Sequence, residues 1–469
     1  MNDFLQTVRS LQRGEELFSL ASSVFVARAP GRLDLMGGND DYTGGMVFEA
    51  TIREATWAAV QLRRDQRIVF VNPQLAALGW QARVEFSFEE LSDEARVRAL
   101  VNRDPAIRWT AYVLGLFYWL RRQSPDIVRR GATVLIDSDV PLNKGVSSSA
   151  AIEVAVMKAA ASAYGVPLAG VELAESCQWA ENVVAESACG IMDQIAVVLG
   201  DEGCVLPLVC QPCVPQPLVR LPAGLTCWAI DSGVSHAVTG IEYEAARAAG
   251  FMGYKMICDF EGLTVRPDLD SRIPRFTDDR FAGYLANLSP SRFRERYESK
   301  LPERMTGAEF LQVAQDHVDP FTRCRPEINY AVRACTRYAV EENERVRLFA
   351  ELARGADADD LCPAATLMGE LMYQSHHGYT ETGLGNEATD LLVRLAREQG
   401  RERGIFGAKV TGGGAGGTVA VLGLAEREDA FDCLVEHYSR ARGAKPYVFR
   451  GSSPGADHFG VIEVTAASS

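Results

Sequence analysis

Three glycine-rich segments, far apart in the sequence, place the strongest constraint on how this chain folds. Residues 29–45 read APGRLDLMGGNDDYTGG, residues 141–151 read PLNKGVSSSAA, and residues 411–418 read TGGGAGGT. Glycine permits positive φ and a close approach of the backbone to a ligand. The first segment could be an ordinary turn-rich connection, but a connection requires neither a lone arginine nor three acids. We therefore predict that these segments are loops that contact a ligand or one another.

The second segment joins a predicted strand at 133–136 to an alanine-rich predicted helix at 150–164, which ends at Gly165. A helix N-terminus offers unpaired N–H groups and a partial positive charge, so this junction is suited to binding phosphate. The serines at 147–149 have two interpretations, as helix caps or as hydroxyls that reach phosphate and magnesium. Three serines exceed what one cap requires, and the P-loop pattern is absent.

The third segment argues against a dinucleotide-binding fold. Gly412, Gly414 and Gly417 satisfy the pattern G-x-G-x-x-G. Such a turn should open a helix, however, whereas the following residues, TVAVL at 418–422, are typical of a strand. The segment is instead predicted to be a glycine loop between two strands.

The order of the predicted elements favours an α+β fold over a doubly wound sheet. A strand at 23–27 and a helix at 168–184 accompany the elements already named, and helical patterns dominate from 242 to about 398. Strands and helices thus occur without regular βαβ alternation. A proline-rich stretch at 207–217 is the predicted boundary between an N-terminal domain, 1–217, and a C-terminal domain, 218–469.

Two acidic residues in partly apolar surroundings are candidates for chemistry. Asp193 lies in CGIMDQ, and Glu181 lies twelve positions earlier on a predicted helix. A carboxylate in such surroundings is usually paired or functional. A structural ion pair or a helix cap is the alternative interpretation.

Composition excludes several classes of partner. The 469 residues carry a formal net charge of −14, and the basic stretches are interrupted by acids, so nucleic-acid binding is not expected. No secretory signal is apparent, and the longest uncharged run contains four prolines, so no membrane contact is expected. Cys210 and Cys213 form a C-x-x-C without the second pair that zinc requires. The eleven cysteines are therefore predicted to be thiols in a reducing cytoplasm.

Taken together, the three segments resemble the GHMP kinases, the family of galactokinase, homoserine kinase, mevalonate kinase and phosphomevalonate kinase. The motifs A-P-G-R, P-x-x-x-G-V-S-S-S-A-A and G-G-G-A-G-G occur in the family's order and span nearly the whole chain. The resemblance implies a two-domain α+β fold with the active site in the cleft between the domains. It also implies a kinase that uses ATP and Mg²⁺ and acts on a small molecule.

Within this family, four segments resemble the galactokinases and, more specifically, the L-arabinokinases: GRLDLMGG at 31–38, CGIMDQ at 189–194, IDSG at 230–233 and GAKVTGGG at 407–414. By position, the resemblance implies catalytic roles for Asp193, as base, and for Arg32. It implies sugar contacts for Gly38, Asn39, Asp41, Gly190 and Tyr243; ATP contacts for Trp109, Tyr112, Gly145, Ser147, Ser148, Ser149 and Ala150; and magnesium ligation for Ser149 and Glu181. Trp109 has an equally good interpretation as core packing.

The resemblance also bears on the substrate. Galactokinases typically have GEHTDY where this chain has GGNDDY, and that Glu and His reach toward C6 of the sugar. L-Arabinopyranose has the configuration of galactose at C2 to C4 but lacks the C6 hydroxymethyl group. Gly38 therefore fits a pentose, and L-arabinose 1-phosphate is the predicted product. D-Galactose and a uronate stay open, because a lost side chain leaves space and Asn39 and Asp40 are polar.

An alternative of another class is a sugar- and ATP-binding sensor that has lost catalysis. Such a sensor should have damaged catalytic residues, whereas Arg32, Ser149, Glu181 and Asp193 all match the family. The sequence favours the enzyme and makes no prediction of the oligomeric state.

Overall fold

The structure is a computed structural model that describes residues 2–235, 240–269, 274–355 and 361–465. Helices and sheets occur in mixed order, which confirms the α+β prediction. The strands are β1 (Val24–Met36), β2 (Met46–Leu62), β3 (Arg67–Val71), β4 (Arg83–Ser87), β5 (Ala132–Ser138), β6 (Cys204–Val209), β7 (Val214–Pro215), β8 (Val219–Arg220), β9 (Leu225–Asp231), β10 (Arg266–Pro267), β11 (Phe276–Thr277), β12 (Met305–Thr306), β13 (Asn329–Tyr330), β14 (Ile405–Val410), β15 (Thr418–Leu424), β16 (Val448–Phe449) and β17 (Val461–Val464).

The helices confirm the strongest sequence patterns. The predicted helices at 150–164 and 168–184 correspond to α4 and α5, and Gly165 ends α4 in the left-handed region. The α-helices are α1 (Asn2–Arg13), α2 (Glu94–Asn102), α3 (Ala111–Gln123), α4 (Ser148–Tyr164), α5 (Gly170–Val183), α6 (Met192–Leu199), α7 (Ile241–Phe260), α8 (Pro290–Arg296), α9 (Gly307–Val313), α10 (Val332–Gly355), α11 (Leu361–Thr382), α12 (Glu387–Gln399), α13 (Glu428–Arg442) and α14 (Ala456–Phe459). Among the described residues, no helix is long and apolar enough to cross a membrane.

A large sheet organises the first part of the chain. Its strand order is β17-β1-β2-β5-β3-β4, and β6 pairs with β2 and carries β7 and β8. Helix α4 packs on β1 and β2, and α3 and α5 pack on α4, so β1 is buried along nearly its whole length. A buried sheet of this kind presents polar side chains only where function or ion pairing requires them.

Strand β1 continues into the first glycine-rich segment, which the sequence indicated as a loop. Residues up to Met36 pair antiparallel with β2, with a register shift between Pro30 and Arg32. A side chain at Gly31 would lie 2.6 Å from the carbonyl oxygen of Val146 in the second segment. The loop proper therefore begins at Gly37, and the first half of the motif is a strand that touches the second segment.

The later part of the chain contains a second sheet, in the order β14-β15-β9-β16. Strands β14 and β15 are antiparallel, so the third glycine-rich segment is a loop between two strands, as predicted. The proposed division at residue 217 stays a prediction. Strands β8 and β17 belong to the later part and hydrogen-bond within the first sheet.

A long connection between α7 and α10, described at residues 261–269 and 274–331, departs from the helical pattern expected there. It contains two small two-stranded sheets, β10–β11 and β12–β13, and two helices of seven residues each, α8 and α9. It is not a loose loop, because large side chains of the connection are buried against α7 and α10: Phe276, Phe293, Tyr297, Phe310 and Tyr330. Residues of this α7–α10 connection line part of the site described next.

Candidate active site

Arg32 and Asp193 meet where β1 approaches the start of α6. Both Nε and Nη2 of Arg32 donate hydrogen bonds to Oδ1 of Asp193, at 2.9 and 2.6 Å. Nη1 donates to the carbonyl oxygen of Gly145, at 2.7 Å, which ties the pair to the second glycine-rich segment. Burial acts to lower the pKa of Arg32, but Asp193 and Glu49 outweigh it and the pKa is raised. The guanidinium therefore stays charged beside Asp193.

Behind this pair lies a fully buried ionic cluster that motif positions did not predict. Nζ of Lys409 lies 2.5 Å from Oδ2 of Asp34, and neither side chain is exposed. Glu49 lies 3.3 Å from Nε of Arg32. Burial and then Asp34 raise the pKa of Glu49, while Arg32 and Lys409 oppose the rise. The available signal was a charged residue inside an otherwise apolar strand, as at Glu49 and Lys409.

Helices α4, α5 and α6 bring two acidic side chains together. Nε2 of Gln194 donates to Oε2 of Glu181, at 2.7 Å, and to Oε2 of Glu153, at 3.1 Å. Burial and then Asp193 raise the pKa of Glu181 to about 7, and a hydrogen bond from Ser149 opposes the rise. Burial and then Glu181 raise the pKa of Glu153. The structure thus brings Ser149 and Glu181 together, as the resemblance implied, and adds Glu153, which the sequence analysis missed.

This acidic cluster fits a divalent cation. Oε1 of Glu153 is buried and has no hydrogen-bond partner among the described residues. Two neighbouring buried carboxylates whose pKa values are both raised would be relieved by a positive charge. No group of three or more Asp, Glu, His or Cys side chains suited to a metal occurs in the described ranges. Magnesium does not need one, because it is usually bound by one or two carboxylates together with substrate phosphates and water.

The second glycine-rich segment presents a helix N-terminus without a side-chain cap. Ser147 precedes α4 with φ of 59°, and its side chain makes no capping hydrogen bond. Its hydroxyl is buried and unpaired within the part of the chain that the structure describes. The first-turn N–H groups, at Ser148, Ser149 and Ala150, have no acceptor within an α-helix. The geometry therefore favours anion binding over the capping interpretation.

Asp41 and Gly190 line a cavity of about 540 Å³. Burial and then Asp193 raise the pKa of Asp41 to about 6, while Arg247 acts to lower it. A side chain at Gly190 would lie 1.7 Å from Oδ2 of Asp41, so only glycine leaves that carboxylate in place. Tyr243 packs edge-on against Tyr42, with ring centroids 6.0 Å apart. Two predicted sugar-contacting residues thus line this cavity, and the third, Tyr243, packs against Tyr42 of its lining.

Gly38 and Asn39 do not line the cavity and lie behind it. A Cβ at Gly38 would be 2.1 Å from the hydroxyl of Tyr379 and 2.3 Å from Oδ2 of Asp34. The hydroxyl of Tyr338 donates to the carbonyl oxygen of Gly38, at 2.7 Å. Nδ2 of Asn39 donates to the carbonyl oxygen of Gly413, at 3.5 Å. Both residues contact protein, and no sequence pattern pointed to the tyrosines that surround Gly38.

Of the two aromatic residues expected near adenine, Trp109 is a core residue. It is 7% exposed, packs against Phe70 with ring centroids 6.3 Å apart, and donates from Nε1 to the carbonyl oxygen of Gln81, at 3.0 Å. This supports core packing, the alternative interpretation of Trp109. Tyr112 is partly buried, and its pKa is raised by burial and then by Glu181 and Glu153, so its phenol lies on the side of the acidic cluster.

Protein-family models and known proteins match this chain. Residues 15–62 match the galactokinase galactose-binding signature, residues 111–201 the GHMP kinases N-terminal domain, and residues 359–440 the GHMP kinases C-terminal model. The chain is 35% identical to the L-arabinokinase of Arabidopsis thaliana over 98% of its own length, but it spans only 48% of that protein. It is 31% identical to the galactokinase of Chloroflexus aurantiacus, over 90% of this chain and 89% of that protein.

Solved structures agree on the fold. The structure of Lactococcus lactis galactokinase complexed with galactose matches with a TM-score of 0.73 and 21% identity, over 98% of this chain and 100% of that one. A mevalonate kinase matches with a TM-score of 0.55 and 13% identity, over 92% of this chain and 99% of that one. The ordered glycine-rich segments, the two family domains and the near full-length likeness to a galactokinase show that the chain belongs to the GHMP kinase family, in its galactokinase-like group.

Proposed function

We propose that this ATP-dependent sugar kinase transfers the γ-phosphoryl group of ATP to the C1 hydroxyl of L-arabinose, giving L-arabinose 1-phosphate. The observation that carries the choice of sugar is the packing at Gly38. Galactokinases typically have a glutamate here that reaches toward C6 of the sugar. In this chain the hydroxyl of Tyr379 and the carboxylate of Asp34 occupy the space into which a side chain would extend. The C6-binding group is therefore missing, and protein fills its place.

The likeness to the L-arabinokinase of Arabidopsis thaliana supports the same choice. D-Galactose is the second candidate, because the galactose-binding signature matches residues 15–62. A uronate is disfavoured on charge. Four carboxylates line the cavity, at Asp41, Asp319, Glu172 and Glu175, against two guanidiniums, at Arg247 and Arg275, so an added carboxylate would meet an excess of negative charge.

In the proposed mechanism, Asp193 accepts the proton of the C1 hydroxyl, or orients that hydroxyl, as it attacks the phosphoryl group. Arg32 donates two hydrogen bonds to Asp193, which fix the direction of the carboxylate. The same guanidinium would stabilise negative charge that develops on the transferred group. Phosphoryl transfer otherwise asks the protein mainly for positioning, which Asp41, Gly190 and Tyr243 would supply for the sugar.

On the nucleotide side, we assign the phosphates to the start of α4. Gly145, with φ of 70°, and Ser147 shape the turn, and the first-turn N–H groups would donate to phosphate oxygens. Ser149 and Glu181 would hold magnesium, and Glu153 lies close enough to add to the negative field. When bound, the metal neutralises charge on the β- and γ-phosphates.

The experiment that tests the proposed function is a comparison of kcat/KM for L-arabinose, D-galactose and D-glucuronate under identical MgATP. We expect the highest value for L-arabinose and the lowest for the uronate. A pocket that merely lacks one contact discriminates by only about 100-fold, so galactose should retain measurable turnover. A preference for galactose would overturn the pentose assignment and leave the sugar 1-kinase activity standing.

A further inference from the structure

A buried arginine, Arg247 of α7, lines the same cavity as Asp41 and Gly190. Its Nε and Nη2 donate to the two carboxylate oxygens of Asp319, at 2.8 and 2.9 Å. The remaining terminal nitrogen, Nη1, is buried and makes no hydrogen bond of good geometry among the described residues, although the phenol of Tyr243 lies close enough to interact with the guanidinium. An unpaired donor of a buried charged group is costly, so the site is incomplete without an acceptor.

The position of this guanidinium is fixed on several sides. It lies over the ring of Tyr42, 4.8 Å from the centroid, and 5.7 Å from the ring centroids of Phe251 and Phe321. Asp319 is fixed in turn, because the hydroxyl of Thr322 donates to its Oδ2, at 2.6 Å. Such preorganisation is what a binding residue requires, since little side-chain freedom is lost when a ligand arrives.

The charges nearby indicate what the missing acceptor is. Asp319 already balances Arg247, and Asp41 supplies a further negative charge, so an anionic ligand is not needed for neutrality. A sugar hydroxyl suits the pair of groups, because it donates its proton to a carboxylate while its oxygen accepts from a guanidinium. Of the carboxylates that line the cavity with Arg247, Asp41 is the one at a predicted sugar-contacting position.

We propose that Arg247 is a specificity-determining sugar-binding residue whose Nη1 donates to a hydroxyl oxygen of the sugar, and that Asp319 holds the guanidinium for this contact. The inference rests on the proposed placement of the sugar against Asp41 and is independent of which sugar is preferred. It assigns the α7–α10 connection a part in sugar binding, because Asp319 belongs to that connection.

The first test replaces Arg247 by lysine, which keeps the charge but removes the guanidinium fork. We expect KM for the sugar to rise about 10- to 100-fold, the range for a hydrogen bond to a charged group, while KM for ATP changes less than about twofold. Arg63→Lys is the matched control, because Arg63 forms an equivalent fork on Asp65, at 2.7 and 2.7 Å, away from the cavity. A parallel rise in both KM values would indicate general damage to the site and overturn the proposal.

The decisive test crosses this variant with the 2-, 3- and 4-deoxy analogues of the preferred sugar. For the hydroxyl that Arg247 contacts, removal should lower kcat/KM at least about tenfold in the wild type and less than about twofold further in Arg247→Lys. Equal losses in both enzymes for every analogue would overturn the proposal. If Arg247→Lys does not fold, Asp319→Asn is crossed with the same analogues, with the same non-additivity expected.

Asp41→Asn distinguishes an error in the proposed sugar placement from an error in the proposed role of Arg247. If this change leaves sugar affinity unaltered, the placement of the sugar is wrong and the role of Arg247 falls with it. If Asp41→Asn weakens sugar binding but no analogue couples to Arg247, only the role of Arg247 is rejected.

Discussion

Asp193 and Arg32 come from elements far apart in sequence, and the hydrogen bonds between them limit the groups that each side chain can still contact. The two hydrogen bonds from Arg32 reach the same oxygen, Oδ1, which leaves Oδ2 of Asp193 for a substrate proton. Arg32 itself cannot lose its proton, because Asp193 and Glu49 outweigh the effect of burial on its pKa. In the proposed mechanism the pair would therefore supply a fixed base and a permanent cation.

We expect Asp193→Asn to lower kcat for sugar phosphorylation about 100- to 10,000-fold, the usual worth of general-base catalysis. The amide is nearly isosteric, so the fold and MgATP affinity should be largely kept. Steady-state kinetics and nucleotide titration measure the two effects separately. Asp201→Asn, in the turn after α6, is the control and should behave like the wild type. A kcat above half of the wild-type value in Asp193→Asn would remove this residue from the mechanism.

At the scale of elements, the meeting of α4, α5 and α6 creates the acidic cluster. Each helix contributes one polar residue to a hydrogen-bonded set: Glu153, Glu181 and Gln194. Burial raises the pKa of both glutamates, so their ionisation is unfavourable in this part of the protein. A bound cation would make it favourable. The two buried carboxylates thus destabilise the protein when no cation is bound, and a bound cation would offset this effect.

We expect Glu181→Gln to increase the magnesium concentration needed for half-maximal rate by about tenfold or more, since a proposed ligand loses its charge. Glu153→Gln should give a smaller increase, because it would act only through the electric field. Rate measurements over a magnesium series at saturating ATP distinguish the two variants. An unchanged magnesium requirement in Glu181→Gln would place the metal elsewhere.

The same elements show what a sequence can and cannot predict. Helices α4 and α5 were predictable because their residues favour helix locally and Gly165 marks an end. Asp193, Arg32, Ser149 and Glu181 were found through family motifs. Glu153 lies on the buried side of an alanine-rich helix, and its partner Gln194 is 41 residues away, so local patterns do not connect them. The tyrosines around Gly38 are remote in the same way.

At the scale of the whole molecule, the three glycine-rich segments interlock. A side chain at Gly412 would lie 2.7 Å from the carbonyl oxygen of Gly145, and one at Gly31 would lie 2.6 Å from that of Val146. The amide of Asp34 donates to the hydroxyl of Thr411, at 2.6 Å. Glycine is needed at these positions mainly because backbones touch. The site therefore depends on how the two sheets are held together.

The buried pair of Asp34 and Lys409 links the two sheets. Asp34 lies on β1 and Lys409 on β14, and both side chains are fully enclosed. Removing one partner leaves an uncompensated buried charge, which costs about 3–5 kcal/mol, whereas removing both together can be nearly neutral. We expect Lys409→Met to lower the free energy of unfolding by about that amount.

A double-mutant cycle measured by urea unfolding checks this prediction. Asp34→Asn combined with Lys409→Met should be more stable than the sum of the two single losses implies, because no lone charge remains. Strict additivity would mean that the pair does not couple the sheets. Loss of turnover in the double variant despite recovered stability would show that the ion pair also sets the position of Arg32, two residues from Asp34 on β1. Turnover would then depend on the contact between the two sheets as well as on the residues of the site.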